Sequence, residues 1–310
     1  MHVARALTVS ISILMFSLAG CNESSPNAPA ASLDDAVLTT FYPTQYFAER
    51  IAGGLVPVRS PLPEGEDPIF WQPDADAISE YQNARLVITN GAEFEKWVAG
   101  AALPRARTVE SLDTEALDAT GGSITMESTT HSHGPGGEHT HAGLDGHTWV
   151  SPNIAILQAK NIAEAMKAAW PDHADAFDAN LASLIEDLEM LRTSLMDLAP
   201  LVDEHQLLAS HPAYNYLIRD MGWSITNLDL DPDSEDMDAI VAGVRDVIEG
   251  DKPVILLWEG QPTDAIVTAL RDELGVTSTL FSPAEGTPDG GDYMDVMLAN
   301  IDRLREAVGG

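Results

Sequence analysis

The sequence predicts an α/β protein built as two parallel-sheet lobes joined by one long helix. Three observations carry that expectation. Short apolar runs alternate with helical patterns, as in strands joined by crossover helices. The alternation is met twice, once before residue 170 and again after residue 201. Between the two stretches, residues 172–198 hold one unbroken amphipathic pattern.

The elements follow in order. Residues 1–20 read as a secretory leader: His2 and Arg5 give a basic start, and an apolar stretch from Ala6 to Ala19 is too short to span a bilayer. Residues 21–33, rich in Ser, Pro, Asn and Ala, read as a flexible tether. A first lobe is expected over 34–170. In it Val37–Phe41 reads as a strand, and Tyr46–Ile51 as a helix stopped by Gly53-Gly54. Leu86–Thr89 reads as a strand closed by Asn90-Gly91, with the next helix starting at Glu93–Val98. Residues 119–146 break the pattern and read as a mobile loop, whose His-rich part is 128–147. The linking helix is placed at 171–200, where Phe177, Leu181, Leu184, Ile185, Leu188, Leu191, Leu195 and Leu198 recur at steps of three and four. A run of about 27 residues at 1.5 Å each would be about 40 Å long. The second lobe, 201–310, repeats the first: strands at 206–210, 224–228, 254–258 and 277–281, helices at 236–249, 264–274 and 293–307.

Composition removes several function classes. With 16 basic and 49 acidic residues the net charge is −33. Nucleic acid is excluded as a partner, because phosphate contacts need clustered Lys and Arg. The chain has one cysteine, Cys21, preceded by Leu18-Ala19-Gly20. Small residues before a lone Cys at the end of a leader resemble the bacterial lipobox, which implies lipidation at Cys21 and attachment to a membrane by lipid alone. No thiolate is then left for a metal, so a site must use His, Asp, Glu or water. No nucleophile elbow, phosphate loop or H-E-x-x-H helix is present.

Six of the nine histidines stand in two settings. His131-Ser-His133 and His139-Thr-His141 flank a Gly-rich turn, with His147 just beyond. Several imidazoles on one short segment suit a borderline cation such as Zn²⁺. The second setting is positional. Ser210-His211-Pro212 follows one predicted strand, Trp258-Glu259-Gly260 another, and Ser282-Pro283-Ala284-Glu285 a third. In α/β layers ligands bind outside the carboxyl ends of strands, so His211, Glu259 and Glu285 are candidates for a common crevice. Phe70 and Trp71 read as packing residues. Asp233, Glu235 and Asp236 read as caps for the helix beginning there, since they lack EF-hand spacing.

Taken in order, further segments are similar to those of the zinc/manganese solute-binding lipoproteins of ABC importers. They are Phe41-Tyr42-Pro43, Asn90-Gly91-Ala92-Glu93-Phe94-Glu95-Lys96-Trp97, His147-Thr148-Trp149-Val150-Ser151-Pro152-Asn153, Ser210-His211-Pro212-Ala213-Tyr214-Asn215-Tyr216, and the closing helix from Asp292-Tyr293 to Asn300. The resemblance runs from Val37 to Leu304. It implies two lobes joined by a rigid helix, a metal cleft between them, His147 and His211 as ligands, and an ABC permease subunit as partner. Two departures stand out. Ile69, in Asp67-Pro68-Ile69-Phe70-Trp71-Gln72-Pro73, occupies the family's first ligand position, and Ser282 occupies that of the late Asp. Replacement ligands are expected among Glu259, Glu285, His131, His133, His139 and His141, with Glu66 and Asp67 also open.

The resulting expectation is a monomeric, non-enzymatic, exported binding protein, periplasmic or on the cell surface, for Zn²⁺ with Mn²⁺ as the alternative cargo. Two other readings stay open: an adhesion or interaction lipoprotein without a transport role, and a metal-dependent hydrolase built on His147, His211 and Glu259.

Overall fold

The structure is a computed structural model that describes residues 35–132 and 138–309, with the backbone alone described at 127–132 and 138–142. Two four-stranded sheets form, both wholly parallel. The first contains β1 (Val37–Thr39), β2 (Val58–Arg59), β3 (Leu86–Gly91) and β4 (Thr108–Leu112), in the order β2-β1-β3-β4. After it come β5 (Thr125–Ser132) and β6 (Glu138–Leu144), an antiparallel pair of their own. The second sheet contains β7 (Gln206–Ala209), β8 (Ile225–Asn227), β9 (Val254–Trp258) and β10 (Thr277–Leu280), in the order β10-β9-β7-β8. Counted within its own sheet, each has the order 2-1-3-4, so the same layer is built twice, as the alternation in the sequence implies.

The helices are α1 (Tyr42–Ala52), α2 (Ala75–Asn83), α3 (Thr114–Ala119), α4 (Pro152–Ala169), α5 (Ala174–Met196), α6 (Ala199–Val202), α7 (Asn215–Met221), α8 (Met237–Val247), α9 (Asp264–Leu274) and α10 (Tyr293–Gly309). Among the described residues no helix is long and apolar enough to cross a membrane.

The long predicted helix is α5, entered through a 3₁₀ turn at Pro171–His173. Its 23 residues make it about 34 Å long, and its buried stripe is Phe177, Leu184, Leu188, Leu191 and Leu195. That stripe belongs to one continuous core holding Phe41 and Ile88 from the first half and Leu207, Leu257 and Phe281 from the second. Helices α1 and α4 pack on it from one half and α10 from the other. Asp236 caps α8 by accepting from Ala239 N, as its placement in the sequence suggests. Trp71 packs on Trp97 with ring centroids 5.7 Å apart, again as expected.

Two expectations are corrected. Residues 93–98 begin no α-helix. Gly91, Ala92 and Glu93 all have left-handed φ, at 87°, 52° and 56°, a conformation that cannot propagate a right-handed helix. The chain turns tightly, with Phe94 N–H reaching Gly91 O, and only a 3₁₀ turn at Val98–Gly100 follows. Only Gly fits at 91, where a Cβ would lie 2.0 Å from Leu112 O. The second correction is the His-rich loop: in its described residues the backbone is paired as β5 and β6, with His131 opposite His139 and Thr129 opposite His141.

Candidate metal centre

In the second sheet the order reverses between β7 and β9, and their carboxyl ends define the crevice in which α/β layers bind ligands. His211 lies just past β7 and Glu259 just past β9. Ser210 ties the two strand ends together: its N–H donates to Leu257 O at 2.8 Å, and its Oγ accepts from Glu259 N–H at 3.2 Å. His211 is buried, while Glu259 is partly exposed. Glu285 follows β10. The segment before it is fixed by Trp149, whose Nε1–H donates to Pro283 O at 2.7 Å, and by Asn300, which exchanges hydrogen bonds with Ser282 N and O. Ala284 has a left-handed φ of 56°, a strained conformation of the kind found at functional sites.

His147 enters from the first half, between β6 and α4, and only 2% of it is exposed. Its ring centroid is 5.9 Å from that of His211, with the rings edge to face at 76°. Asp145 Oδ1 accepts from the backbone N–H of His147 at 2.9 Å and from its Nδ1 at 2.8 Å. With Nδ1 held as the donor, Nε2 is the nitrogen that can carry a lone pair to a metal. Burial pushes the imidazole pKa down. The hydrogen bond and charge of Asp145, with the charges of Glu285 and Glu259 added, outweigh burial and hold it above the ordinary histidine value. Burial pushes the Glu285 carboxyl up to about 7, with His147 opposing and Asp67 adding to the rise. His147 thus has His211 as a ring neighbour and feels the charges of Glu285 and Glu259.

The other sequence candidates fall differently. Ile69 is buried and lines a small cavity, about 10 Å³, with Phe94, Met126, Gly146 and His147. An apolar residue thus stands beside His147 where the sequence suggested a lost ligand. Asp67 caps its own turn, accepting from Ile69 N–H at 2.8 Å, and Glu66 is exposed. Among the described residues no three His, Cys, Asp or Glu side chains are disposed to hold an ion as they stand. His133 and Cys21 lie outside the described residues, as do the side chains of His131, His139 and His141.

Reading the sequence alone passes over Asp145 and Asn215, the polar residues that hold the two histidine loops. A carboxylate two positions before a candidate ligand, in Asp145-Gly146-His147, is the signal that could have found the first.

Comparison with known proteins identifies the family of the chain. The family model described as ZnuA, Zinc-uptake complex component A periplasmic, matches residues 37–307. The zinc-binding lipoprotein AdcA of Streptococcus pneumoniae is 27% identical over 284 residues, covering 87% of this chain and 55% of AdcA. The chain thus spans about half the length of the AdcA relatives it matches. The high-affinity zinc uptake system protein ZnuA of Bacillus subtilis is 27% identical over 303 residues, covering 94% of this chain and 93% of that protein. Two solved structures share the fold with TM-scores of 0.71. They are the metal-dependent lipoprotein YcdH from Bacillus subtilis, at 23% identity over 88% of this chain and 98% of the other, and the Zn(II)-bound ZnuA-like domain of Streptococcus pneumoniae AdcA, at 24% over 89% and 99%. The match to the family model covers most of the chain, both sheets included, and this protein belongs to the ZnuA family.

Proposed function

We propose that this chain is the extracytoplasmic capture component of a metal ABC importer, which binds Zn²⁺ and delivers it to a membrane permease without catalysing a reaction. The observation that carries the reading is the convergence of two buried imidazoles, His147 and His211, from opposite halves of the fold, with ring centroids 5.9 Å apart and the charges of Glu259 and Glu285 felt at His147. Zinc takes three or four nitrogen and oxygen donors in tetrahedral arrangement. His147 Nε2 and His211 supply the nitrogens, and Glu259 and Glu285 are the proposed oxygen donors in place of the ligands missing at Ile69 and Ser282. The ion draws the carboxylates inward, a modest closure of the crevice. His131, His133, His139 and His141 are proposed as an outer collecting segment that raises the local ion concentration. The acidic surface favours the approach of cations at long range. Export and a lipid anchor at Cys21 complete the reading, and the monomer is its working unit.

Titration calorimetry of the purified chain with Zn²⁺ and with Mn²⁺ tests this. Zinc binds more tightly, because imidazole donors and the Irving–Williams order both favour it. His211→Ala lowers zinc affinity at least tenfold. Unchanged zinc affinity in that variant rejects the site.

A further inference from the structure

The side-chain amide of Asn215 touches both histidine-bearing loops. One Nδ2 contact is to Asp145 Oδ2 at 2.9 Å, and the other to Pro212 O at 3.2 Å. Asp145 holds His147 by its backbone N–H and its Nδ1, and Pro212 is the residue after His211. A primary amide has two hydrogens to donate, and here each serves a different half of the molecule. Its Oδ1 in turn accepts from Asn227 Nδ2 at 2.9 Å, at the end of β8. The Asp145 end of this chain is fixed independently. Tyr216 Oη–H donates to Asp145 O at 2.9 Å, and Asp145 N–H donates to Ile124 O at 2.8 Å.

We infer that Asn215 is the positioning residue that sets the spacing between His147 and His211. The inference rests on the reading that these two histidines take up one ion together. It assigns Asn215 no contact with the metal. The direct connections from the α7 start to the His147 loop are the Asn215 amide and the Tyr216 hydroxyl. Of these two, the amide is the one that reaches the carboxylate gripping the imidazole. Removing it leaves Asp145 bonded to His147 and, through its carbonyl, to Tyr216, but releases its carboxylate from the turn that carries His211. The two rings then lose their fixed separation while each loop keeps its own hydrogen bonds. Outer-shell partners of this kind typically change metal affinity by about 10–100-fold.

The test compares wild type, Asn215→Ala and Asn215→Asp in the full chain. Asp keeps the size and the acceptor for Asn227 but turns an oxygen toward the Asp145 carboxylate. In the metal-free protein, the cross-ring nuclear Overhauser effect between the two imidazoles reports their spacing directly. It is present in wild type and lost in both variants. Zinc affinity falls about 10–100-fold, and the visible spectrum of the Co²⁺-loaded protein shifts, which a general loss of stability would not cause. Asn227→Ala, at an exposed position, gives a smaller loss in the same direction and serves if either Asn215 variant fails to fold. Folded variants with an unchanged cross-ring effect and unchanged zinc affinity overturn the inference. If wild type takes up no zinc, the uptake reading falls, and the metal-free spacing still decides the role of Asn215.

Discussion

The two sheets share one strand order, and each has a crevice where that order reverses, yet the two crevices are used differently. In the second sheet the residues past the facing strand ends are His211 and Glu259, the proposed ligands. In the first sheet the corresponding places past β1 and β3 are taken by Thr40 and Glu95. These two are buried and bonded to each other, and Glu95 Oε1 also accepts from Asn90 N–H at 2.7 Å. Above them Phe41, Phe94 and Trp149 pack with ring centroids 4.7–4.9 Å apart. His147 lies against Phe94 and Trp149, at 6.0 and 5.5 Å. One crevice holds the proposed ligands, and the other is filled, with its filling serving as the platform for the imidazole that the first half contributes. Topology permits a ligand at both places; the side chains past the strand ends make the difference.

The difference can be broken most forcefully at Trp149. Trp149→Ala removes a fully buried ring from the platform and the N–H that holds Pro283 O. The cost is about 3–5 kcal/mol, the range for large aromatic truncations in a core, and is read from urea unfolding. Zinc affinity falls with it, because His147 and the segment leading to Glu285 both lose their support. Trp149→Phe retains most of the ring packing and gives the smaller loss of an orphaned carbonyl.

A second break is at Gly91, where the chain leaves β3 to deliver Glu95 into the first crevice. Gly91→Ala places a Cβ against Leu112 O at a left-handed position. Left-handed strain of about 1–2 kcal/mol and overpacking of about 1–3 kcal/mol combine to about 2–5 kcal/mol, measurable as a lowered denaturation midpoint. The second crevice has no equivalent sensitivity at its strand ends, since Ser210 and Glu259 meet through ordinary backbone and hydroxyl hydrogen bonds.

That asymmetry also governs what could be read from the sequence. His211 and Glu259 are legible because each follows an apolar run that forms a strand as expected, Val254–Trp258 to the residue. Strand ends carry position with them. His147 is legible as a histidine in a motif, but its holding residues are not: Asn90 Nδ2 reaches Gly146 O across 56 positions, and Asn215 reaches Asp145 across 70. Side-chain hydrogen bonds of that span leave no periodic trace. The same holds for residues 93–98, whose helix-like composition is overridden by three left-handed residues. Helix α4 carries nine buried residues over 18 positions, among them Ala155, Ala159 and Ala163. Small residues make its apolar face weak beside the leucine stripe of α5.

The gentlest test of the comparison is Glu95→Gln. Burial raises the Glu95 carboxyl pKa above the ordinary value, with hydrogen bonds from Thr40 and from the backbone N–H groups of Asn90, Glu95 and Gly91 opposing. Between the ordinary carboxyl range and the raised folded value, the native state therefore binds more protons at Glu95 than the unfolded chain does. Stability contributed by this group falls as pH rises through that window and is recovered on acidification. Gln keeps the oxygen that accepts from Thr40 and Asn90 and removes the charge. Glu95→Gln is thus more stable than wild type at neutral pH, and the gap narrows as pH falls toward the ordinary carboxyl range. Thermal melts across that range check the sign. Zinc affinity measured alongside stays close to wild type, because the filled crevice supports His147 through shape and Glu95 donates nothing to the ion. A large loss of zinc binding in the folded variant would instead make Glu95 part of the site, and the two crevices would no longer differ in kind.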